Sequence, residues 1–210
     1  MNIFFAGWSS LVARQAHNLK VVGSNPTPAT NDQIQWGIKI LMKASCYWIT
    51  GLSGSGKTTL AKKLSGYLRS KNLPVILLDG DVLREILSSK AYTYDERLNL
   101  GYKYAKLCKA LVEQDINVVI GVIGLFHKLH SWNRLYIESY VEIFLDTPID
   151  ELRKRDPKKL YHKFSEKKLS NIVGIDIEPE FPKEPNLHLK WEEGMNEDKT
   201  FIKVKEFLNI

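Results

Sequence analysis

From Cys46 onward the chain alternates short, almost wholly apolar runs with longer stretches whose apolar residues recur every three or four positions. Cys46–Thr50, Val75–Leu78, Ile116–Ile123 and Val141–Leu145 read as buried strands, and Leu187–Leu189 as a short fifth. Lys57–Lys71 carries Leu60, Leu64, Tyr67 and Leu68 at helical spacing. Asp95–Gln114 carries Leu98, Tyr102, Ala105, Cys108 and Val112 in the same way. Leu125–Ile137, a stretch from Ile149 and Lys199–Leu208 complete the expected helices, with Thr147-Pro148 stopping the fourth strand. Strands without a polar face, separated by helices, predict an α/β domain: a parallel five-stranded sheet with helices on both faces.

Residues 1–42 show no such order. Ile3, Phe4 and Phe5 lack the basic flank and long apolar region of a signal peptide. Residues 7–31 have neither strand nor helix periodicity and end rich in Pro, Thr and Asn. They resemble a bacterial initiator transfer-RNA gene read as codons, with Val22–Pro26 matching the T-arm and Ala16-His17-Asn18 an anticodon loop. The expectation is a non-native or flexible extension over 1–42, with translation beginning at Met42 and a kinase domain over 43–210. Intact-mass measurement of the native protein tests it.

Composition narrows the picture only a little. With 210 residues and 44% hydrophobic content the chain can bury one substantial core. Nothing approaches eighteen consecutive apolar residues, so no membrane span is expected. The net charge of +6 suits a polyanionic small molecule as well as nucleic acid. Without basic motifs interleaved with aromatics, nucleic acid is the weaker reading. Cys46 and Cys108 have neither metal nor redox spacing and read as small buried hydrophobes in a cytoplasmic protein. His127 and His130 could share a helix face but have no third ligand nearby, so they read as surface or packing residues.

The chemistry begins after the first strand. Gly51-Leu52-Ser53-Gly54-Ser55-Gly56-Lys57-Thr58, followed by Thr59, satisfies the phosphate-loop pattern and opens a helix. Its glycines let successive N–H groups converge on phosphate oxygens, and the helix terminus adds partial positive charge. Lys57 can reach the β- and γ-phosphates, and Thr58 can ligate Mg²⁺. A P-loop NTPase fold with ATP as co-substrate follows. No guanine-reading Asn-Lys-x-Asp and no transporter signature occurs, which selects the small-molecule kinases. Asp79-Gly80-Asp81 ends the second strand, at the ligand-bearing edge of a parallel sheet. A carboxylate there can orient or deprotonate a hydroxyl and help hold Mg²⁺. Asp81 could equally cap a helix.

Residues 46–190 resemble the adenylyl-sulfate (APS) kinase family, on the segments GLSGSGKTTLA, LDGDVLREIL, DER–LN, RDPKKLY and VGID–P-F-P-EPNLHL. The resemblance implies transfer of the γ-phosphate of ATP to the 3′-hydroxyl of adenylyl sulfate. It implies Asp79 as catalytic carboxylate with Lys57, and Arg84 and Asn99 as acceptor-holding residues. Arg155-Asp156-Pro157-Lys158 would begin a basic lid over ATP. This turns the run Arg153–Lys168, with eight Lys/Arg against two acids, from a solvated face into a phosphate clamp. The family is often dimeric, so a homodimer is one assembly to expect.

Three departures fall on the acceptor side. Leu100, Gly101 and Tyr102 stand where paired arginines follow the family's asparagine, here matched to Asn99. Ile172 replaces one of two rings that sandwich the acceptor's adenine, the other being Tyr92. Ile123-Gly124-Leu125 replaces an Ile-Ser-Pro turn. Asp81, Arg84, Tyr92, Asn99, Ile123 and Ile172 therefore form the expected acceptor set. A related branch of the family acts on cytidine diphosphoramidate, for O-methyl phosphoramidate decoration of capsular polysaccharide. Adenylyl sulfate is the leading acceptor by a narrow margin, the cytidine compound the alternative. A non-catalytic nucleotide-binding regulator is the reading from another class, opposed by the intact Lys57, Thr58 and Asp79.

Overall fold

The computed structural model describes residues 43–91, 93–156, 159–166 and 171–210. The expectations for residues 1–42, Tyr92 and Pro157-Lys158 lie outside the described residues. The described elements are β1 (Cys46–Thr50), α1 (Lys57–Ser70), β2 (Val75–Asp79), α2 (Gly80–Ile86), α3 (Tyr94–Val112), β3 (Asn117–Gly121), α4 (His127–Tyr136), β4 (Tyr140–Asp146), α5 (Ile149–Arg155), α6 (Leu160–Ser165), β5 (Leu187–Lys190) and α7 (Glu197–Leu208). The five strands form one parallel sheet in the order β2-β3-β1-β4-β5.

Strand periodicity divides the core. Cys46 and Trp48 of β1 point to one face, with Val118 and Ile120 of β3, against Leu98, Tyr104, Ala105 and Cys108 of α3 and Leu129 of α4. Tyr47 and Ile49 point to the other, with Val119, Ile143 and Leu145, against Leu60, Leu64 and Leu68 of α1 and Val204 of α7. Successive strand residues must alternate faces, so an uninterrupted apolar strand needs a helical layer on each side. A third cluster, including Leu52, Leu125, Phe144, Leu152, Tyr161 and Val173, covers part of the sheet's carboxyl edge.

Every expected strand and helix is present, with ends displaced by no more than two residues. Two short helices escaped the periodicity. In α2 the cap falls to Asp79, whose carboxylate accepts from Asp81 N at 2.9 Å, rather than to Asp81. In α6 Asp156 accepts from Leu160 N at 2.7 Å and His162 N at 3.0 Å. Both depend on a carboxylate cap more than on an apolar stripe. Cys46 and Cys108 are free and fully buried. The Cys108 thiol beside Cys46, together with burial, pushes the Cys46 thiol well up. Among the described residues no helix is long and apolar enough to cross a membrane.

Candidate active site

The carboxyl ends of β1, β2 and β3 open into a cleft of about 920 Å³. Its floor is the turn between β1 and α1. Gly51, Gly54 and Gly56 take φ of 147°, 82° and 96°, which side chains disfavour. At Gly51 a Cβ would stand 2.5 Å from the Leu145 carbonyl, so glycine also permits β4 to lie against the loop. Ser55 N closes the turn on Leu52 O at 3.2 Å. Lys57 Nζ donates to Leu52 O at 2.6 Å, which folds the ammonium over the curled backbone. The α6 helix reaches the same loop through Tyr161, whose hydroxyl donates to Ser53 O at 2.9 Å. Burial pushes that phenol up to about 12, so it remains a donor at any physiological pH.

Two residues far apart in sequence meet at the mouth of this loop. Thr58 Oγ1 donates to Asp79 Oδ2 at 2.7 Å, while Asp79 Oδ1 accepts from Asp81 N. The strand end delivers the carboxylate, the helix start delivers the hydroxyl, and the cap bond fixes the carboxylate's rotation. Two adjacent hard oxygen donors of this kind suit Mg²⁺.

The opposite wall is built by α2, α3 and the loop Val122–Phe126. Asp81 and Arg84 line the cleft from α2, and Arg84 Nη1 donates to Ala91 O at 3.0 Å. From α3 the lining residues are Arg97, Leu100, Gly101 and Tyr104. Their spacing of three, four and seven places them on one helical face. That periodicity is present in the sequence and singles out Arg97, which belongs to the DER–LN segment but has no role among the expected acceptor residues. Arg97 Nη2 also donates to Asn171 O at 2.6 Å. Asn99 is exposed on α3 and is not among the lining residues. Ile123 lines the cleft; Ile172 is buried beside it, and its neighbour Val173 provides the lining there.

The segment 171–181 is tied across this side. Glu180 accepts from the Tyr94 hydroxyl at 2.9 Å and from His127 N at 2.5 Å. Partial burial pushes the Glu180 carboxyl up, but these two bonds outweigh it and hold the group below its usual range.

Arg155, at the end of α5, lines both this cleft and a second of about 440 Å³ behind the phosphate loop. Its Nε pairs with Glu151 Oε1 at 3.0 Å. Ser55, Thr59, Trp191 and Asn196 contribute to the second cleft. Trp191 follows β5, at the same sheet edge as Asp79. The motifs did not mark it, although its place after a strand could have.

Known proteins resemble this chain in sequence and fold. The family model for adenylylsulphate kinase matches residues 43–190. The cytidine diphosphoramidate kinase of Campylobacter jejuni subsp. jejuni serotype O:2 is 42% identical over 135 residues, 64% of this chain and 79% of that one. The adenylyl-sulfate kinase of Pseudomonas aeruginosa is 37% identical over 143 residues, 67% of this chain and 73% of that one. The structure of Mycobacterium tuberculosis APS kinase CysC in complex with AMPPNP and APS aligns with a TM-score of 0.74 at 27% identity, over 80% of this chain and 99% of that one. The parallel-sheet fold is thus common ground, and the chain belongs to the adenylylsulphate kinase family of phosphotransferases that act on a hydroxyl group.

Proposed function

We propose that the chain transfers the γ-phosphoryl group of ATP to the 3′-hydroxyl of an activated nucleotide, with cytidine diphosphoramidate as the acceptor. The observation that carries this reading is the bond between Thr58 and Asp79 at the meeting of the two cleft walls. It brings the start of the phosphate-binding helix against a carboxylate at the strand end, which supports a reading in which that carboxylate serves as proton acceptor beside the bound phosphates. Phosphoryl transfer asks little of the protein beyond such positioning and charge stabilisation.

In this reading the amides of Gly51–Thr58 cradle the phosphates and Lys57 leaves Leu52 O for the β- and γ-oxygens. Arg155 steadies the nucleotide between the two clefts, with its base toward Trp191. Thr58 and Asp79 would hold Mg²⁺, which neutralises charge on the phosphates when bound. Asp79 orients the acceptor hydroxyl and takes its proton. The hydroxyl oxygen bonds to the γ-phosphorus as the bond to the β,γ-bridging oxygen breaks, and ADP leaves. Arg84 and Arg97 face the anionic end of the acceptor.

The choice of acceptor rests on the α3 wall. Leu100 and Gly101 line it, and neither side chain can donate to an anion. A sulfate presents acceptors only and calls for guanidinium donors. An amidate presents N–H donors of its own and needs fewer. The relative at 42% identity carries that substrate in its name. Adenylyl sulfate is the second reading, favoured by the two arginines that remain, Arg84 and Arg97. ADP release measured with each acceptor at equal concentration should give the higher kcat/KM with cytidine diphosphoramidate. A higher value with adenylyl sulfate reverses the choice, and no release with either removes both.

A further inference from the structure

Three successive carbonyls of the loop between β3 and α4 are each held by a different part of the fold. Ile123 O accepts from the Thr50 hydroxyl at the end of β1. Gly124 O accepts from His130 Nε2 at 2.7 Å, and Leu125 O from Glu180 N at 3.2 Å. The loop lines the cleft from Val122 to Phe126. Its middle residue, Gly124, sits at φ 46° with a hypothetical Cβ only 3.2 Å from Trp48 and Val122. A backbone so free in itself keeps one shape only if its neighbours impose it.

His130 is the unusual grip. It lies on α4, 2% exposed. A carbonyl can only accept, so Nε2 carries the ring proton and Nδ1 is left as a bare acceptor. Nδ1 has no hydrogen-bond partner. The nearby Glu142 Oε1, 4.0 Å from Nε2, is itself bonded by the Tyr140 hydroxyl at 2.9 Å. Gly124 O also accepts from Phe126 N at 3.1 Å, so it would keep a partner without the imidazole. A leucine here would fill the core and bury no unpaired nitrogen, which favours it for stability. What leucine cannot do is fix the Gly124 carbonyl.

We infer that His130 is a positioning residue for the acceptor nucleotide: its Nε2–H bond to Gly124 O holds the Val122–Phe126 wall of the cleft in the shape that seats the acceptor. The inference rests on the reading of this wall as the acceptor side. ATP, which meets the phosphate loop and Arg155, is outside its reach.

The test compares His130→Leu and His130→Gln with the wild type. For His130→Leu the KM of the acceptor should rise roughly ten-fold, the loss of one buried hydrogen bond. The KM of ATP should stay within about two-fold, the pattern of a change confined to acceptor binding. The thermal midpoint should match or exceed the wild type. His130→Gln, whose amide can donate to Gly124 O, should recover most of the acceptor KM. Hydrogen exchange, which needs no substrate, should quicken at the Val122–Phe126 amides in His130→Leu alone. Unchanged exchange overturns the inference, as does a rise in both KM values together or in neither. If the wild type releases ADP with neither acceptor, the functional reading falls while exchange still decides the role of His130. Should His130→Leu not fold, a slowly exchanging Nε2 proton of His130 in the ¹⁵N-labelled wild type is the expected result, and its absence overturns the inference.

Discussion

Asp79 shows how much one residue's meaning depends on its neighbours. Adjacent to Gly80-Asp81 in sequence, it could be a turn residue, a cap or a base. In the fold it is a cap whose other oxygen meets Thr58. Asparagine retains an acceptor for Asp81 N but cannot take a proton. Asp79→Asn should therefore lower kcat by roughly 10²–10⁴ with little change in ATP affinity, measured by ADP release and nucleotide titration. An undiminished kcat would excuse Asp79 from proton transfer. Gly51 illustrates a purely steric demand at the same scale. With φ 147° and the Leu145 carbonyl 2.5 Å from a would-be Cβ, Gly51→Ala should cost about 1–3 kcal/mol of stability. Urea unfolding reads this directly, and an unchanged midpoint would mean that β4 yields.

At the scale of elements, α4 and β4 bury a titrating pair of opposite sense. Burial pushes the His130 imidazole down to about 4. The unfolded chain therefore binds a proton below about 6.5 that the fold refuses. The imidazole's contribution to stability is whole above the unfolded value and is lost as pH falls toward 4. At pH 5 the loss is about 2 kcal/mol. Burial pushes the Glu142 carboxyl up, against bonds from Tyr140 and Arg134. That contribution runs the other way, present below the unfolded value and lost as pH rises through the folded one. Between pH 7 and pH 5 the wild-type urea midpoint should fall more than that of His130→Leu, which keeps Glu142 and loses the imidazole. Equal falls would show that His130 does not set the acid limb. The helix α3 teaches a related lesson: Arg97, Leu100, Gly101 and Tyr104 share the cleft face. Their period of three and four was legible, yet a motif read as a string drew attention to Asn99 instead.

For the whole molecule, residues 42–210 form one compact unit, and the family match begins at residue 43. We propose that residues 43–210 are a kinase domain that folds without the residues before it. A chain begun at Met42 should unfold at the same urea concentration as the full chain and release ADP at the same rate. A lower midpoint or a loss of activity would assign the first 41 residues a part in the fold or the chemistry.

Local physics sufficed for the layered architecture, because apolar strands with helices between them bury both faces only under a helical layer on each side, while the strand order was decided by the tertiary structure. It sufficed for the phosphate loop too, since a contiguous run of glycines, lysine and threonine carries its own backbone geometry. The rest was settled by contacts between distant segments. Thr58 joins Asp79, Tyr161 joins Ser53 and Tyr94 joins Glu180. Each pair joins segments at least 21 residues apart, and no sequence spacing encodes its separation in space. Only packing of the helices onto the sheet brings such groups within hydrogen-bond distance.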